Sequence, residues 1–200
     1  MIRNLFYGLL FASLSSVQAA SLFNFDSTTP GTYTAFTDVN NGIFATFSSN
    51  GDPGGFEVIP SFFGSLSGNV LLDPGPALQD RLALTVTFSH ALRGISLDFA
   101  INTFFPTDAF NLSAYAADTL VGSGSFSGSI PNGLLYPEGT ATFSGAGFDK
   151  VVFSSIGRDF AVDNISIVGT PEPRSLSAVG LVALFGVTTL YRRRRTAFRA

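Results

Sequence analysis

Glycine and proline interrupt this chain so often between residues 21 and 168 that no stretch there sustains a helical period. Gly-Asp-Pro-Gly-Gly at 51–55 and Asp-Pro-Gly-Pro at 73–76 would each stop a helix, because proline removes a backbone donor and both residues favour turns. What lies between such breaks alternates. The runs LALTVTFS from Leu82, GISLDFAI from Gly94, FNLSAYAA from Phe110 and FAVDNISIV from Phe160 place apolar and polar residues in turn, which is the period of a strand with one buried face. Short strands, frequent turns and no helices predict an all-β fold over 21–168. An antiparallel β-sandwich fits best, with a jelly-roll arrangement favoured over an immunoglobulin-like one.

The chain has 22 phenylalanines, no tryptophan and no cysteine. Such a sandwich must be held by burial and hydrogen bonds alone, and its core is expected to be a layer of phenylalanine rings. Disulfide scaffolds and thiolate zinc sites are excluded. Tyr33, Tyr115 and Tyr136 are the candidates for a ring exposed to sugar, since a phenol tolerates a wet edge. For each of them a structural role is the competing reading.

Both ends are apolar in a different way. Arg3, an uncharged run from Leu5 to Leu14 and the small residues before Ala20 have the three-part form of a secretory signal peptide, 1–20, with cleavage after Ala19 or Ala20. The run of about ten residues is too short to span a bilayer that needs roughly twenty. At the other end, Ser175 to Tyr191 carries no charge, and Arg192, Arg193, Arg194 and Arg195 follow at once. This predicts a single transmembrane helix stopped by arginines held on the cytoplasmic side, with residues 196–200 as a cytoplasmic tail. Pro171, Glu172 and Pro173 stand just before it, keeping an extended segment outside the membrane.

The Pro-Glu-Pro motif, the short apolar helix and the arginine cluster, over 169–195, resemble the PEP-CTERM sorting signal of exported bacterial proteins. Thr170 stands where valine is common in that family, and five residues follow the arginines. The resemblance implies processing by exosortase, a membrane-embedded protease or transpeptidase. It further implies a destination at the cell surface or in an exopolysaccharide matrix or biofilm. It implies no activity, because the passengers of such signals are diverse. A structural or adhesive role is the reading that follows, with a carbohydrate-binding module as the first alternative and a hydrolase as the second.

Charge narrows the partners. Between Ala20 and Thr170, the four basic residues Arg81, Arg93, Lys150 and Arg158 stand against thirteen acidic ones, a formal charge of −9. Such a domain is ill suited to nucleic acid, whose phosphates must be neutralised, and better suited to neutral ligands, to cations or to no ligand at all. The strand order, ending in RDFAVDNISIV, also resembles the jelly-roll domains that precede such sorting signals and, more distantly, galactose-binding-like carbohydrate modules. That resemblance implies a last strand returning beside the first, bringing Asp163 and Asn164 near Asp26. Their oxygens could hold a structural Ca²⁺. No contiguous calcium loop is present, however, and Asp163 as a turn cap is the favoured alternative.

No catalytic constellation stands out, and the expectation is a protein that is not an enzyme. His90, the only histidine, falls where a hairpin turn is expected, and its neighbour Ser89 should point to the opposite strand face. Glu57 and Glu138 are the glutamates a glycosidase would need, but carboxylates are common throughout this acidic chain. Gly122 to Gly128 (GSGSFSG) misses phosphate-loop spacing and reads as a hairpin or strand edge.

Overall fold

The computed structural model describes residues 20–49, 55–73, 82–103, 109–131, 133–155 and 159–170. The expected signal peptide up to residue 19, the motif Pro171 to Pro173, the apolar run 175–191, Arg192 to Arg195 and the tail 196–200 lie outside the described residues. Among the described residues the regular elements are all strands. They are β1 (Ser21–Phe23), β2 (Gly31–Tyr33), β3 (Ala35–Asn40), β4 (Ile43–Ser49), β5 (Phe56–Pro60), β6 (Asn69–Asp73), β7 (Leu82–Ile101), β8 (Ala109–Ala116), β9 (Thr119–Ser127), β10 (Glu138–Ser155) and β11 (Phe160–Gly169).

Two long strands organise the rest. β7 and β10 have 20 and 18 residues and run antiparallel through two layers. The first half of β7 pairs with β4 (Ala45↔Phe88 to Ser49↔Leu84) and with the second half of β10 (Lys150↔Thr87 to Ser155↔Leu82). Its second half pairs with the first half of β10 (Glu138↔Ala100 to Ser144↔Gly94) and with β11. One layer is therefore β2-β5-β6-β11-β7-β10, with β1 beside the end of β11. The other is β3-β4-β7-β10-β8-β9. All these pairings are antiparallel.

Phenylalanine rings from both layers meet between them. Phe110 of β8 stacks on Phe99 of β7 with centroids 4.7 Å apart and meets Phe160 of β11 edge-on at 5.5 Å. Phe36 of β3 lies 5.6 Å from Phe56 of β5, and Phe25 lies edge-on to Phe47 of β4 at 5.4 Å. These rings are the sandwich core expected from the composition, and edge-to-face and offset pairs are their favourable geometry.

The long strands change layers by slipping their alternation. Along β7 the residues buried in the main core are Leu84, Val86, Phe88 and Leu92, then Ile95, Leu97, Phe99 and Ile101. The phase moves from even to odd positions between Leu92 and Ile95. β10 breaks register between Ser144 and Phe148, beside the same corner. An extra residue in one strand bends it and re-aims the chain. The stretch Phe88 to Gly94 is thus a corner inside one strand, where the sequence pattern suggested a hairpin turn between two.

β1 pairs with the last strand, Ser21↔Ile167 to Phe23↔Ile165. The first and last strands are neighbours, as the resemblance implied. Between β3 and β4, Asn41 and Gly42 both have positive φ, the two-residue turn whose twist matches its flanking strands.

Candidate functional site

The outer face of the β5-β6-β11-β7 layer carries more apolar residues than a solvated sheet needs. Val58, Leu71, Phe99 and Phe160 point into the sandwich, while Val70, Leu72, Ala100 and Ala161 form a second buried cluster together with Phe63 and Leu66. Ile59 and Tyr136 pack against it. Two loops cover this face, one after β5 at 61–68 and one before β10 whose described residues are 129–131 and 133–137. Sealing it from water is what holds both loops in place.

The first loop is fastened by polar contacts. The Ser61 N–H donates to the Gly68 carbonyl (2.7 Å), its hydroxyl donates to the Leu66 carbonyl (2.7 Å), and that same oxygen accepts from Phe63 N (3.2 Å). Glu138, only 4% exposed, reaches over from the start of β10. Its Oε1 accepts from Gly64 N (2.7 Å), and its Oε2 accepts from Ser65 N (2.6 Å) and from the Ser65 hydroxyl. Two successive amides gripping one buried carboxylate make a short, charge-assisted clamp. Leu134 of the second loop packs on Gly64 so closely that a Cβ at position 64 would overlap it.

The clamped loops present a small aromatic and aliphatic platform. Phe62 is 51% exposed and lies 4.2 Å from the Phe63 ring and 6.0 Å, edge-on, from Tyr136. Phe63 and Tyr136 are themselves edge-on at 5.5 Å. Ile130, Leu134 and Leu135 are exposed on the second loop. Glu57, between the inward-facing Phe56 and Val58 of β5, lies on the same outer face.

Of the three tyrosines singled out in the sequence, only Tyr136 joins this platform. Tyr33 packs against Phe36 and Phe56 and donates its hydroxyl to the Thr29 carbonyl (2.6 Å), a corner-fastening role. Tyr115 lies under the Lys150 ammonium, 5.0 Å from its centroid, and Lys150 also pairs with Asp118. That pairing holds the Asp118 carboxyl below the usual aspartate range, through the hydrogen bond first and the charge second. Sequence reasoning missed Phe62. The available signal was two adjacent phenylalanines in a Ser/Gly-rich segment, since only one of two neighbouring rings is readily buried when a chain turns.

Asp26, Asp163 and Asn164 do come together, with Asp98 as a fourth member. Asn164, at φ 51, forms a bulge where β11 breaks register with β7, and its amide donates to Asp163 Oδ1 (2.7 Å). Its side-chain amide donates to Asp98 Oδ2 (3.1 Å), while Asp98 Oδ1 accepts from Thr140 (2.9 Å) and Asp26 Oδ1 accepts from Asn69 N (2.9 Å). Burial pushes the Asp163 carboxyl up, helped by the charges of Asp26 and Asp98. Hydrogen bonds from the Asn164 and Ser67 amides oppose the shift. The oxygens are of the kind Ca²⁺ takes, but each carboxylate already has protein donors. Among the described residues no three His, Cys, Asp or Glu have the spacing of a metal site.

Ser89 and His90 sit on the corner of β7. Their side chains meet there, Ser89 Oγ to His90 Nδ1 at 2.8 Å, against the expectation that strand neighbours diverge. The bend turns both toward one side. Ser89 Oγ also accepts from Phe44 N (3.0 Å), continuing the β4-β7 ladder where the backbones part.

No family model matches this sequence, and no curated protein matches it. Among solved structures, the K2 cleaved adhesin domain of Lys-gingipain is similar, at 18% identity and a TM-score of 0.53 over 76% of this chain and 99% of that one. At this identity the likeness shows the fold. A family 35 carbohydrate-binding module from Clostridium thermocellum (9% identity, TM-score 0.37, 76% and 99% covered) also matches. So does a family 29 module complexed with mannohexaose (11%, 0.33, 75% and 91%).

Proposed function

We propose that this jelly-roll-like domain is a non-catalytic carbohydrate-binding and adhesive module that works outside the cell. The observation that carries the reading is the exposed Phe62 ring, set beside Tyr136 on a loop that Glu138 clamps from beneath. Aromatic faces held rigidly in solvent suit the C–H faces of sugar rings, and preorganisation lowers the entropic cost of capture. Glu57 on the same face offers an acceptor for hydroxyls. The acidic charge of the domain favours a neutral polysaccharide over a polyanion. An adhesin domain as a fold neighbour supports the same reading. Glu138, with its oxygens occupied by three donors, serves the loop rather than a hydrolytic reaction.

Delivery is the second half of the proposal. Residues 1–20 direct export, 175–191 with Arg192 to Arg195 hold a precursor in the inner membrane, and an exosortase-like enzyme acts near Pro171 to Pro173. The described domain starts its first strand at Ser21 and ends its last at Gly169, so both proposed cuts flank folded structure closely. Native gel electrophoresis through neutral and acidic polysaccharides tests the first half. Retardation by a neutral glucan or mannan, lost in Phe62→Ala, is expected, and equal mobility in every gel would end the binding reading. Intact mass spectrometry of the surface-recovered protein tests the second. A mature form from near Ala20 to near residue 170 is expected, whereas a product that keeps Arg192 to Arg195 would leave a plain anchor.

A further inference from the structure

The two ends of the described domain leave it side by side. Ser21 pairs with Ile167, and the Thr170 amide and hydroxyl both donate to the Ala91 carbonyl at the β7 corner (2.9 and 3.0 Å). The β3-β4 hairpin is tied to the same place. Asn40 Nδ2 donates to the Leu22 carbonyl (2.6 Å) and Asn41 Nδ2 to the Ala20 carbonyl (3.4 Å), while Ser89 takes the Phe44 amide. Four large apolar side chains ring this end and are exposed: Leu22 (46%), Val39 (51%), Phe44 (51%) and Val168 (44%). Leu22 and Val168 lie on the outer face of one layer, because Ser21, Phe23 and Ile167 face in. Val39 and Phe44 are cross-strand partners on the outer face of the other. Arg93 is exposed at the corner between them.

We propose that this end is a lipid-docking surface. In the membrane-held precursor, Leu22, Val39, Phe44 and Val168 seat in the headgroup region while Arg93 faces the anionic phosphates. The proposal rests on the membrane-anchor reading of 175–191. Its occupant follows from the length of chain left over. Only Pro171 to Arg174 separate Thr170 from the uncharged run at Ser175, and five extended steps span at most about 18 Å. Thr170 is fixed to Ala91, so β11 contributes no slack. A tether that short keeps this end within reach of an interface where apolar side chains settle roughly 5–10 Å deep. It also raises the local concentration of the docking groups far above that of a free domain. Soluble partners would have to compete for a surface already held against lipid.

The absence of cysteine makes the test direct. Chains from Ala20 to Ala200, without the proposed signal peptide, carrying Phe44→Cys or Leu135→Cys would be labelled with a polarity-sensitive fluorophore and reconstituted into vesicles of three parts phosphatidylethanolamine to one part phosphatidylglycerol. Position 135 precedes β10, whose first residue pairs with Ala100, six strand residues or about 20 Å beyond the end of the corner at Gly94. It therefore reports the far end. Co-flotation of both proteins with vesicles reports the anchor, and quenching by a headgroup-level nitroxide lipid reports docking. The expected result is quenching at 44 about threefold stronger than at 135, as interfacial depth requires, with a blue shift at 44 alone. Co-flotation with equal quenching would overturn docking while leaving the anchor standing. Failure to co-float would overturn both.

Discussion

Replacing Glu138 by alanine should separate the residue that builds the platform from the residue that touches ligand. In the native fold its carboxylate satisfies Gly64 N and Ser65 N at 2.7 and 2.6 Å as well as the Ser65 hydroxyl. Truncation removes two amide hydrogen bonds to a charged group, each contributing about 1.5–3 kcal/mol, and leaves the donors of Gly64 and Ser65, which are themselves exposed, to water. Part of this is returned, because the variant no longer desolvates a carboxylate that is only 4% exposed. A net loss of about 3 kcal/mol remains. For a domain of this size that lowers Tm by about 6–12 °C. Calorimetry is the suitable assay, since no tryptophan reports unfolding. Polysaccharide binding should fall at temperatures where the variant is still folded, because Phe62 and Phe63 lose their support. Phe62→Ala should abolish binding while leaving Tm nearly unchanged, its ring being half in solvent. A Glu138→Ala protein that melts within 2 °C of wild type, by the same scaling, and still binds would show that the clamp does not hold the platform.

Three further outcomes follow from the geometry. Phe110→Ala removes a ring stacked on Phe99 and in contact with Phe153 and Phe160; chemical denaturation should show a loss of about 3–5 kcal/mol, far more than the same change at exposed Phe44. Asp163 ionises at a higher pH in the fold than its ordinary value of 3.8. Its contribution to stability is therefore fully present below 3.8 and is lost as pH rises through the raised folded value. Asp163→Asn keeps an acceptor for the Asn164 amide, so in melts across that window the decline with pH should be shallower than in wild type. Calcium should leave the melting temperature unchanged, since the carboxylates of Asp26, Asp98 and Asp163 already have protein donors; a rise on titration would reassign these oxygens to a cation.

The sandwich was legible where a strand keeps one phase. In FNLSAYAA, Phe110, Leu112 and Ala114 are buried as their alternation implies, and the phenylalanine count foretold what fills the core. The pattern failed where a strand changes layers. FSHALRG reads as a turn because Phe88 and Leu92 are in phase with each other and out of phase with Ile95, and one inserted residue in a continuous strand breaks a period as a turn does. The same slip occurs at Asp163 and Asn164, between inward Val162 and inward Ile165. Their polarity there was visible in the sequence, but its cause, a bulge, was not.

The platform was hidden for a different reason. Its parts come from residues 62, 63, 136 and 138, and the clamp joins Gly64 to Glu138, 74 positions apart. No local period encodes such a contact. It exists because β10 starts beside Ala100 of β7 while β5 and β6 lie across β11 on the same layer, so the loops before β10 and after β5 share one outer face. That face is apolar at Val70, Leu72, Ala100 and Ala161, which makes loop closure favourable and leaves one ring of the adjacent pair, Phe62, without room beneath. The exposed ring is thus a product of the sheet order. A substitution that alters the order or the cover, such as a charged residue at Ala161, should remove the proposed binding without touching any residue assigned to the platform.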